Sequence, residues 1–222
     1  MYQHGCEVLD EWTRWGLVLV DEGSPDGSTG VTKGLYRDDP RVRCVFFARS
    51  CGQTSSMRAG IERGRAVHGA AHADMQNDPA DLPKMLRLFG DADAVVGWRM
   101  KRNDDFGRRA SSKIANAIHN KLSHDQIRDT GCSLELFRTA AIRQVPLHVE
   151  GMHRFMPTLM RYLGFKVLEH PVSHHLRRAG VSKYAVANRA LRALRDLLAA
   201  RWMRTRIRRL PIVVGEADLS HC

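Results

Sequence analysis

The sequence has few cysteines and no long hydrophobic run, and both shortages restrict its class. No segment approaches the roughly 18 consecutive apolar residues that a membrane-spanning helix requires. The cysteines are odd in number and none are spaced as C-x-x-C, so neither a disulfide framework nor a zinc site is indicated. The five are Cys6, Cys44, Cys51, Cys132 and Cys222. The N-terminal residues lack the order of a secretory signal, so we expect a protein of the reducing cytosol, soluble or peripheral to a membrane.

Negative charge is also in short supply. The chain has 24 Asp and Glu residues against 35 Lys and Arg, a formal net charge of +11. Anionic partners follow from this excess, and nucleic acid, anionic lipid and phosphorylated substrates all stay open on charge alone. With 222 residues, 43% of them hydrophobic, the chain suffices for one buried domain with an appendage.

Apolar runs and helix-compatible spacings alternate along the chain. The apolar runs predict strands at 17–20, 42–48, 70–73, 94–98, 132–137 and 165–172. Helical spacing predicts helices at 55–67, 79–89, 108–122 and 153–163. Such a series is typical of an α/β fold with a mostly parallel sheet flanked by helices. We expect one domain over residues 1–172, followed by a basic segment over 173–222.

Residues 71–79, reading AHADMQNDP, place polar side chains just past an apolar run. Asp74 and Gln76 alternate with apolar residues, so in extended geometry their oxygens leave on one side. Two such oxygens suit a hard cation such as Mg²⁺ or Mn²⁺. The alternative is a solvated turn in which Asp78 caps a helix that begins with Pro79. Both interpretations can hold at once.

The segment 184–207 predicts a basic amphipathic helix. Its apolar residues are Val186, Leu191, Leu194, Leu197, Leu198, Trp202 and Ile207, and its arginines are Arg189, Arg192, Arg195, Arg201, Arg204 and Arg206. One interpretation is a helix packed on the core with a solvated Arg face. The other is attachment to an anionic membrane surface, where each basic residue contributes on the order of 1 kcal/mol. Nucleic-acid binding is less favoured because aromatic residues do not interleave with the arginines.

Taken together, the motifs resemble the family 2 glycosyltransferases that act on polyprenyl phosphates, the dolichyl-phosphate mannosyltransferase group. They run from Leu17 to Gly215 and read DEGSPDGS, DPRVRCV, SCGQTSSMRAGIERG, HADMQNDPADLP, VVGWRMKRNDDFGRR, SSKIAN, IRDTGCSLELFR, MHRF and GVSKY. The resemblance implies a GT-A fold, in which a nucleotide-sugar lies across the carboxyl ends of parallel strands. It also implies transfer of a hexose from a UDP- or GDP-sugar to a polyprenyl phosphate at the cytoplasmic membrane face.

The resemblance assigns a donor site and a metal site. The residues expected to bind the nucleotide-sugar are Asp21, Glu22, Gly23, Ser24, Gln53 and Asp74. Those expected to hold Mg²⁺ or Mn²⁺ are Asp74, Gln76 and His72. His72 falls where the family has an acid, and imidazole is a better ligand for Mn²⁺ than for Mg²⁺.

The resemblance assigns the acceptor phosphate to a set of cations and hydroxyls. They are Arg99, Arg108, Ser112, Arg177, Ser182 and Lys183. Asp129 is expected to face the sugar or the acceptor, and otherwise to serve as a turn residue before Gly131. The residues expected to be catalytic are Asp74, Asp129 and Arg108.

Two further departures from the family concern the backbone. The family's first strand has no counterpart in residues 1–15, where we find no apolar run of strand length. The chain reads Glu150-Gly151-Met152-His153 where the family reads Gly-Glu-Met-His, so we expect a side chain where glycine's freedom is needed. The function expected first is an active peripheral glycosyltransferase. The alternatives are a non-catalytic homologue that keeps the fold, and a basic nucleic-acid-binding protein.

Overall fold

Strands and helices alternate through most of the chain. The computed structural model describes residues 2–10, 15–64, 68–70, 78–100, 106–173 and 186–207. The strands are β1 (Leu17–Asp21), β2 (Val42–Phe46), β3 (His68–Ala70), β4 (Ala94–Arg99), β5 (Glu135–Phe137) and β6 (Val167–Val172). The helices are α1 (Tyr2–Leu9), α2 (Ser28–Asp38), α3 (Gln53–Arg63), α4 (Leu82–Arg87), α5 (Phe106–Ser123), α6 (Thr139–Ile142), α7 (Met156–Leu163) and α8 (Val186–Arg206). Two 3₁₀ turns span Pro79–Asp81 and Met152–Phe155.

The described strands form two sheets. β1 and β2 pair in parallel, and the second sheet has the order β3-β5-β4-β6. β4 and β6 are parallel, whereas β5 runs antiparallel to both β3 and β4. Because β3 and β4 both oppose β5, they point the same way, and their carboxyl ends lie at one edge of the sheet. The reversal of β5 is a feature that the alternation of strands and helices did not predict.

The second sheet is covered on both faces. Phe137 and Ala94 pack with α6, α7 and α8 in one apolar cluster, while Leu136 and Val95 pack with Met85 of α4 in the other. Successive residues of a strand point to opposite faces, which is why neighbours in β4 and β5 enter different clusters. The result is a helix–sheet–helix arrangement, the α/β layering expected from the sequence.

A contact between Thr54 and the turn before α7 indicates that the carboxyl ends of β1 and β2 and those of β4 and β6 lie on the same side of the molecule. Thr54, in the first turn of α3, follows the carboxyl end of β2. Its hydroxyl oxygen accepts a hydrogen bond from the Gly151 backbone N–H at 3.0 Å and lies 2.6 Å from Nδ1 of His153. The turn that contains His153 precedes α7, which returns to the start of β6 and so runs antiparallel to it. This contact therefore connects the two edges at which we expect the functional residues.

Several predicted bounds differ from the observed ones. The helix predicted at 79–89 is a 3₁₀ turn followed by six residues of α4, and Asp78 caps the turn by accepting from the Ala80 N–H at 2.9 Å. The strand predicted at 132–137 is reduced to β5. Residues 2–9 form α1, in agreement with the expected lack of a first strand there. Helices α1, α2 and α6 were not predicted.

The expectation about the Glu150-Gly151 order was wrong. Gly151 has φ +84, and a Cβ built on it would lie 2.4 Å from Oδ2 of Asp196. Glycine thus occupies the position where the left-handed backbone and the close approach of α8 both require it. Glu150 is exposed and has no such constraint.

Helix α8 belongs partly to the core. Leu197 and Ala200 are buried in the cluster with α7, and Asp196 accepts a hydrogen bond from Arg154 at 2.8 Å. Other apolar residues of α8, among them Leu191 and Trp202, are exposed. One face of α8 is therefore packed on the core, as the first interpretation predicts, while attachment of the helix to a membrane stays a prediction.

Candidate functional site

The carboxyl end of β1 places Asp21 in a network of neutral donors. Its carboxylate accepts from the Ser24 backbone N–H at 3.0 Å and from the Thr29 hydroxyl. These bonds, that of Thr29 first, lower the pKa of Asp21 below its ordinary value. Gly23, at φ +76, lets the chain turn beside the Phe47 carbonyl, which a Cβ would approach to 3.2 Å. The ionised carboxylate therefore fixes the loop that follows β1.

Glu22 connects this loop to the end of β2 and to α3. Its carboxylate accepts from the Ser50 hydroxyl at 2.6 Å and from the Ser56 hydroxyl. Gln53 opens α3 directly after this loop. The structure thus brings together all the described residues that we predicted for the nucleotide-sugar, at the carboxyl ends of β1 and β2.

At the carboxyl end of β4, Arg99 and Asp129 form a bidentate ion pair. Nε of Arg99 lies 2.6 Å from Oδ2 of Asp129, and Nη2 lies 2.8 Å from Oδ1. Both side chains are largely buried, with 13% of Arg99 and 7% of Asp129 exposed. Planar pairing of this kind gives a strong and directional contact. Sequence reasoning had assigned Arg99 to the acceptor phosphate and Asp129 to the sugar or acceptor, without any link between them.

Helix α5 holds the segment that carries Asp129. Asn116 donates from Nδ2 to the Arg128 carbonyl at 2.8 Å and accepts from the Thr130 hydroxyl at 2.8 Å. Arg108 and Ser112 precede Asn116 in α5, but their side chains lie outside the described part of the structure, so their assignment to the acceptor phosphate stays a prediction.

The predicted metal ligands His72, Asp74 and Gln76 lie outside the described residues, as do Arg177, Ser182 and Lys183. The strand before the metal segment is nevertheless placed. β3 ends at Ala70, and its carboxyl end lies at the same edge of the sheet as that of β4. Among the residues that the structure describes, no group of three or more His, Cys, Asp or Glu side chains could hold a metal. An imidazole, a carboxylate and an amide oxygen form a donor set that fits Mn²⁺ better than Mg²⁺.

Glu135 is a buried acid that sequence reasoning missed. It opens β5, opposite Ala70 on one side and Val96 on the other, and burial raises its pKa to about 8. The signal was present, because a lone charge stands in an otherwise apolar strand. The apolar neighbours of Glu135 dominate the pattern of this run and predict a strand without indicating a site.

A cavity of about 480 Å³ lies between α3 and residues 147–150. Thr54, Arg58 and Glu62 of α3 line it together with His148 and Glu150. Arg58 donates to Glu62 at 2.7 Å across its wall. Gly60, on the other side of α3, packs against Val20 of β1. The cavity is therefore on the face of α3 that points away from the Asp21 network.

Comparison with known proteins identifies the class. The sequence profile of glycosyl transferase family 2 matches residues 6–149, so the chain belongs to that family. The fold is the GT-A fold, shared with the mannosyltransferase PcManGT from Pyrobaculum calidifontis in complex with GDP-Man and Mn²⁺. The TM-score with that structure is 0.60 at 15% identity, over 88% of this chain and 56% of that one.

Two curated relatives are similar over most of this chain. A dodecaprenyl-phosphate galacturonate synthase of Rhizobium johnstonii is 39% identical over 194 residues, which cover 84% of this chain and 56% of the relative. An undecaprenyl-phosphate 4-deoxy-4-formamido-L-arabinose transferase of Edwardsiella ictaluri is 32% identical over 185 residues, 82% of this chain and 56% of the relative. The chain thus spans little more than half the length of these relatives.

Proposed function

We propose that this chain transfers a sugar from a nucleotide-sugar to a polyprenyl phosphate, assisted by a divalent cation. The observation that carries the proposal is the set of polar and charged side chains at the carboxyl ends of β1, β2 and β4. Carboxylates and hydroxyls gather there at the ends of β1 and β2, and Arg99 is fixed at the end of β4. Ligands of open α/β sheets bind outside the carboxyl ends of the strands. The polyprenyl-phosphate acceptors in the names of both curated relatives support the acceptor class.

The reaction requires little proton transfer. A phosphate monoester is largely ionised near neutral pH, so an acceptor oxygen can attack the anomeric carbon directly. As that bond forms, the bond from the anomeric carbon to the nucleoside diphosphate breaks, and its electron pair leaves with the diphosphate. Arg99, Arg108 and Ser112 would hold the acceptor phosphate in line, together with Arg177, Ser182 and Lys183.

Asp74, Gln76 and His72 would hold the cation. When bound, Mn²⁺ or Mg²⁺ neutralises charge on the departing diphosphate. Asp21, Glu22, Gly23, Ser24 and Gln53 would form the wall that receives the nucleoside. In this wall the carboxylate of Asp21 stays ionised, since its pKa is lowered by the Thr29 and Ser24 bonds.

We further propose that α5 and α8 contact an anionic membrane surface on its cytoplasmic side. The two helices pack together and expose apolar side chains that belong to no core cluster. These are Ile114, Ile118, Leu191, Leu194, Leu198 and Trp202. Arginines at 192, 195, 201, 204 and 206 surround the α8 members, and such a mixture binds at lipid interfaces. In the part of the chain that the structure describes, no helix is long and apolar enough to cross a bilayer.

A transfer assay tests the reaction. Purified protein is incubated with undecaprenyl phosphate, Mn²⁺ and labelled UDP- or GDP-sugars, and label is counted in the lipid extract. We expect label in the lipid extract, and we expect EDTA or Asp74→Asn to abolish it. In His72→Asp, Mg²⁺ should support more transfer than it does in the wild type. Nucleotide-sugar binding without any transfer would instead assign the chain to the non-catalytic homologues.

Vesicle flotation tests the membrane surface with a matched control. Leu191 on α8 and Val31 on α2 are both 67% exposed. We expect wild-type protein to float with phosphatidylglycerol vesicles and not with phosphatidylcholine vesicles. Leu191→Glu should reduce flotation several-fold, whereas Val31→Glu should not. Equal losses from both variants would contradict the assignment of the surface to α5 and α8.

A further inference from the structure

The carboxylate of Asp129 is saturated by its neighbours. It accepts from Nε and Nη2 of Arg99, from the Arg99 backbone N–H at 3.3 Å and from the Gly131 backbone N–H at 3.1 Å. A carboxylate offers about four lone-pair directions, and the contacts of Asp129 occupy that number. These four contacts direct its oxygens toward Arg99 and toward its own turn.

Gly131 leaves the room that this pair needs. A Cβ built on Gly131 would lie 2.6 Å from Nη2 of Arg99 and 3.5 Å from Oδ1 of Asp129. Gly131 has no positive φ, so its backbone conformation does not demand glycine. What demands glycine is the guanidinium that packs against it.

The segment that carries Asp129 is itself fixed on both sides. Asn116 and Asn120 of α5 bind the carbonyls of Arg128 and Ile127 at 2.8 and 3.0 Å. The Arg128 backbone N–H donates to Glu169 of β6 at 2.9 Å. Contacts with α5 and β6 thus fix the segment that carries Asp129, and Asp129 in turn fixes the Arg99 side chain.

We propose that Asp129 is a positioning residue, which orients the Arg99 guanidinium toward the phosphate of an isoprenyl phosphate and does not itself contact the sugar. This inference rests on the proposed function. A bidentate carboxylate fixes both the plane and the direction of a guanidinium, which a single hydrogen bond cannot do. Without it, Arg99 would sample several rotamers at a site whose ligand requires one.

The experiment measures binding of farnesyl phosphate in detergent micelles by calorimetry, with inorganic phosphate as a second probe. We expect Asp129→Ala and Arg99→Ala each to weaken farnesyl phosphate binding tenfold or more. The double variant should be no weaker than Arg99→Ala alone, because Asp129 acts only through Arg99. Binding of UDP and GDP with Mn²⁺ should stay unchanged in all three. If the variants weaken the binding of inorganic phosphate by the same factor, the effect belongs to the phosphate group alone, as the proposal requires.

Two variants separate positioning from stability. Gly131→Ala keeps both charges and displaces Nη2, so we expect it to weaken binding by a similar factor. Asp125→Ala is the matched control, since Asp125, just after the carboxyl end of α5, is a buried carboxylate that pairs with Arg161 at 2.5 Å and not with Arg99. It should lower the melting temperature and leave farnesyl phosphate binding unchanged.

Additive losses in the double variant, or normal binding by both Asp129→Ala and Gly131→Ala, would overturn the positioning role and leave the proposed function standing. A wild-type protein that binds no farnesyl phosphate would overturn the positioning role together with the acceptor class. Failure of nucleotide and Mn²⁺ binding alone would count against the donor half of the proposed function and not against this inference.

Discussion

The two sheets differ in how far their apolar strands are buried. In β4, residues Ala94 to Gly97 are all buried, whereas in β1 the equally apolar residues Leu17 to Val20 are only half-buried. β4 is paired on both sides, while within the described residues β1 pairs only with β2. β4 and β5 therefore form a close-packed platform at the centre of the second sheet, whereas β1 is looser. We infer that Arg99 lies on the more rigid support.

Two carboxylates show the same contrast in electrostatic terms. Asp21 at the end of β1 is surrounded by donors that lower its pKa, whereas Glu135 in β5 is desolvated so that its pKa rises to about 8. One sheet accommodates its charge with hydroxyls and backbone N–H groups. The other excludes water and disfavours the charged form.

The largest effect should come from truncation of the platform. Leu136 in β5 is 2% exposed, and Leu136→Ala should lower the free energy of unfolding by about 2 to 5 kcal/mol. Leu19→Ala in half-buried β1 should cost about half as much or less. Urea denaturation of both variants checks this. Equal costs would remove the proposed difference in packing.

Glu135→Gln should reveal the cost of the buried acid. In the folded protein Glu135 stays protonated up to about pH 8, while in the unfolded chain it ionises near its ordinary pKa of 4.5. Stability of the wild type should therefore fall as pH rises from 4.5 through 8, relative to the variant. The difference should reach about 3 kcal/mol at pH 7 and vanish below pH 4.5. Parallel stability curves from urea denaturation would contradict the desolvation of Glu135.

Two glycines test whether the regions differ in backbone tolerance. Gly151→Ala combines φ +84 with a collision against Asp196, and should cost about 1 to 3 kcal/mol. Gly30 lies in α2, where a Cβ would meet nothing within 4 Å. Gly30→Ala should therefore stabilise the protein by roughly 0.5 to 1 kcal/mol. Thermal melts of the two variants that shift in the same direction would refute the contrast.

The smallest loss of stability is expected at Asp21. Its lowered pKa means that its contribution to stability is present above the unfolded value of 3.8 and is lost as pH falls through the folded pKa. Asp21→Asn should cost about 1 kcal/mol near neutral pH, the value of a hydrogen bond. The cost should disappear in acid, the opposite pH trend to that of Glu135→Gln. A cost of Asp21→Asn that persists at low pH would show that shape, not charge, matters there.

The sequence predicted strands and helices best where the pattern is strong. Apolar runs located β1, β4 and β6, and the spacing of Leu194, Leu197 and Leu198 located α8. Helix α2 was missed because STGVTKGLYRD contains two glycines and no buried residue. The reversal of β5 was missed because apolar content does not encode strand direction.

The predicted site was recovered where strand ends determine it. Asp21, Glu22 and Gln53 meet because parallel strands bring their carboxyl ends to one edge. Arg99 and Asp129 are 30 positions apart in the sequence. They meet because β5 runs antiparallel to β4, so that the segment before β5 lies at the carboxyl end of β4. No local sequence pattern could indicate this pair. Glu135 was missed because charged residues are expected at the surface, and its burial depends on packing against both β3 and β4.

Calorimetric titration of UDP and GDP into the protein, with and without Mn²⁺, tests the central claim most directly. The account predicts that one nucleotide binds with Mn²⁺, that EDTA removes the binding, and that Asp74→Ala abolishes it while Asp125→Ala does not. Nucleotide binding that ignores Mn²⁺ or survives Asp74→Ala would contradict a metal-assisted nucleotide-sugar site at this edge of the fold.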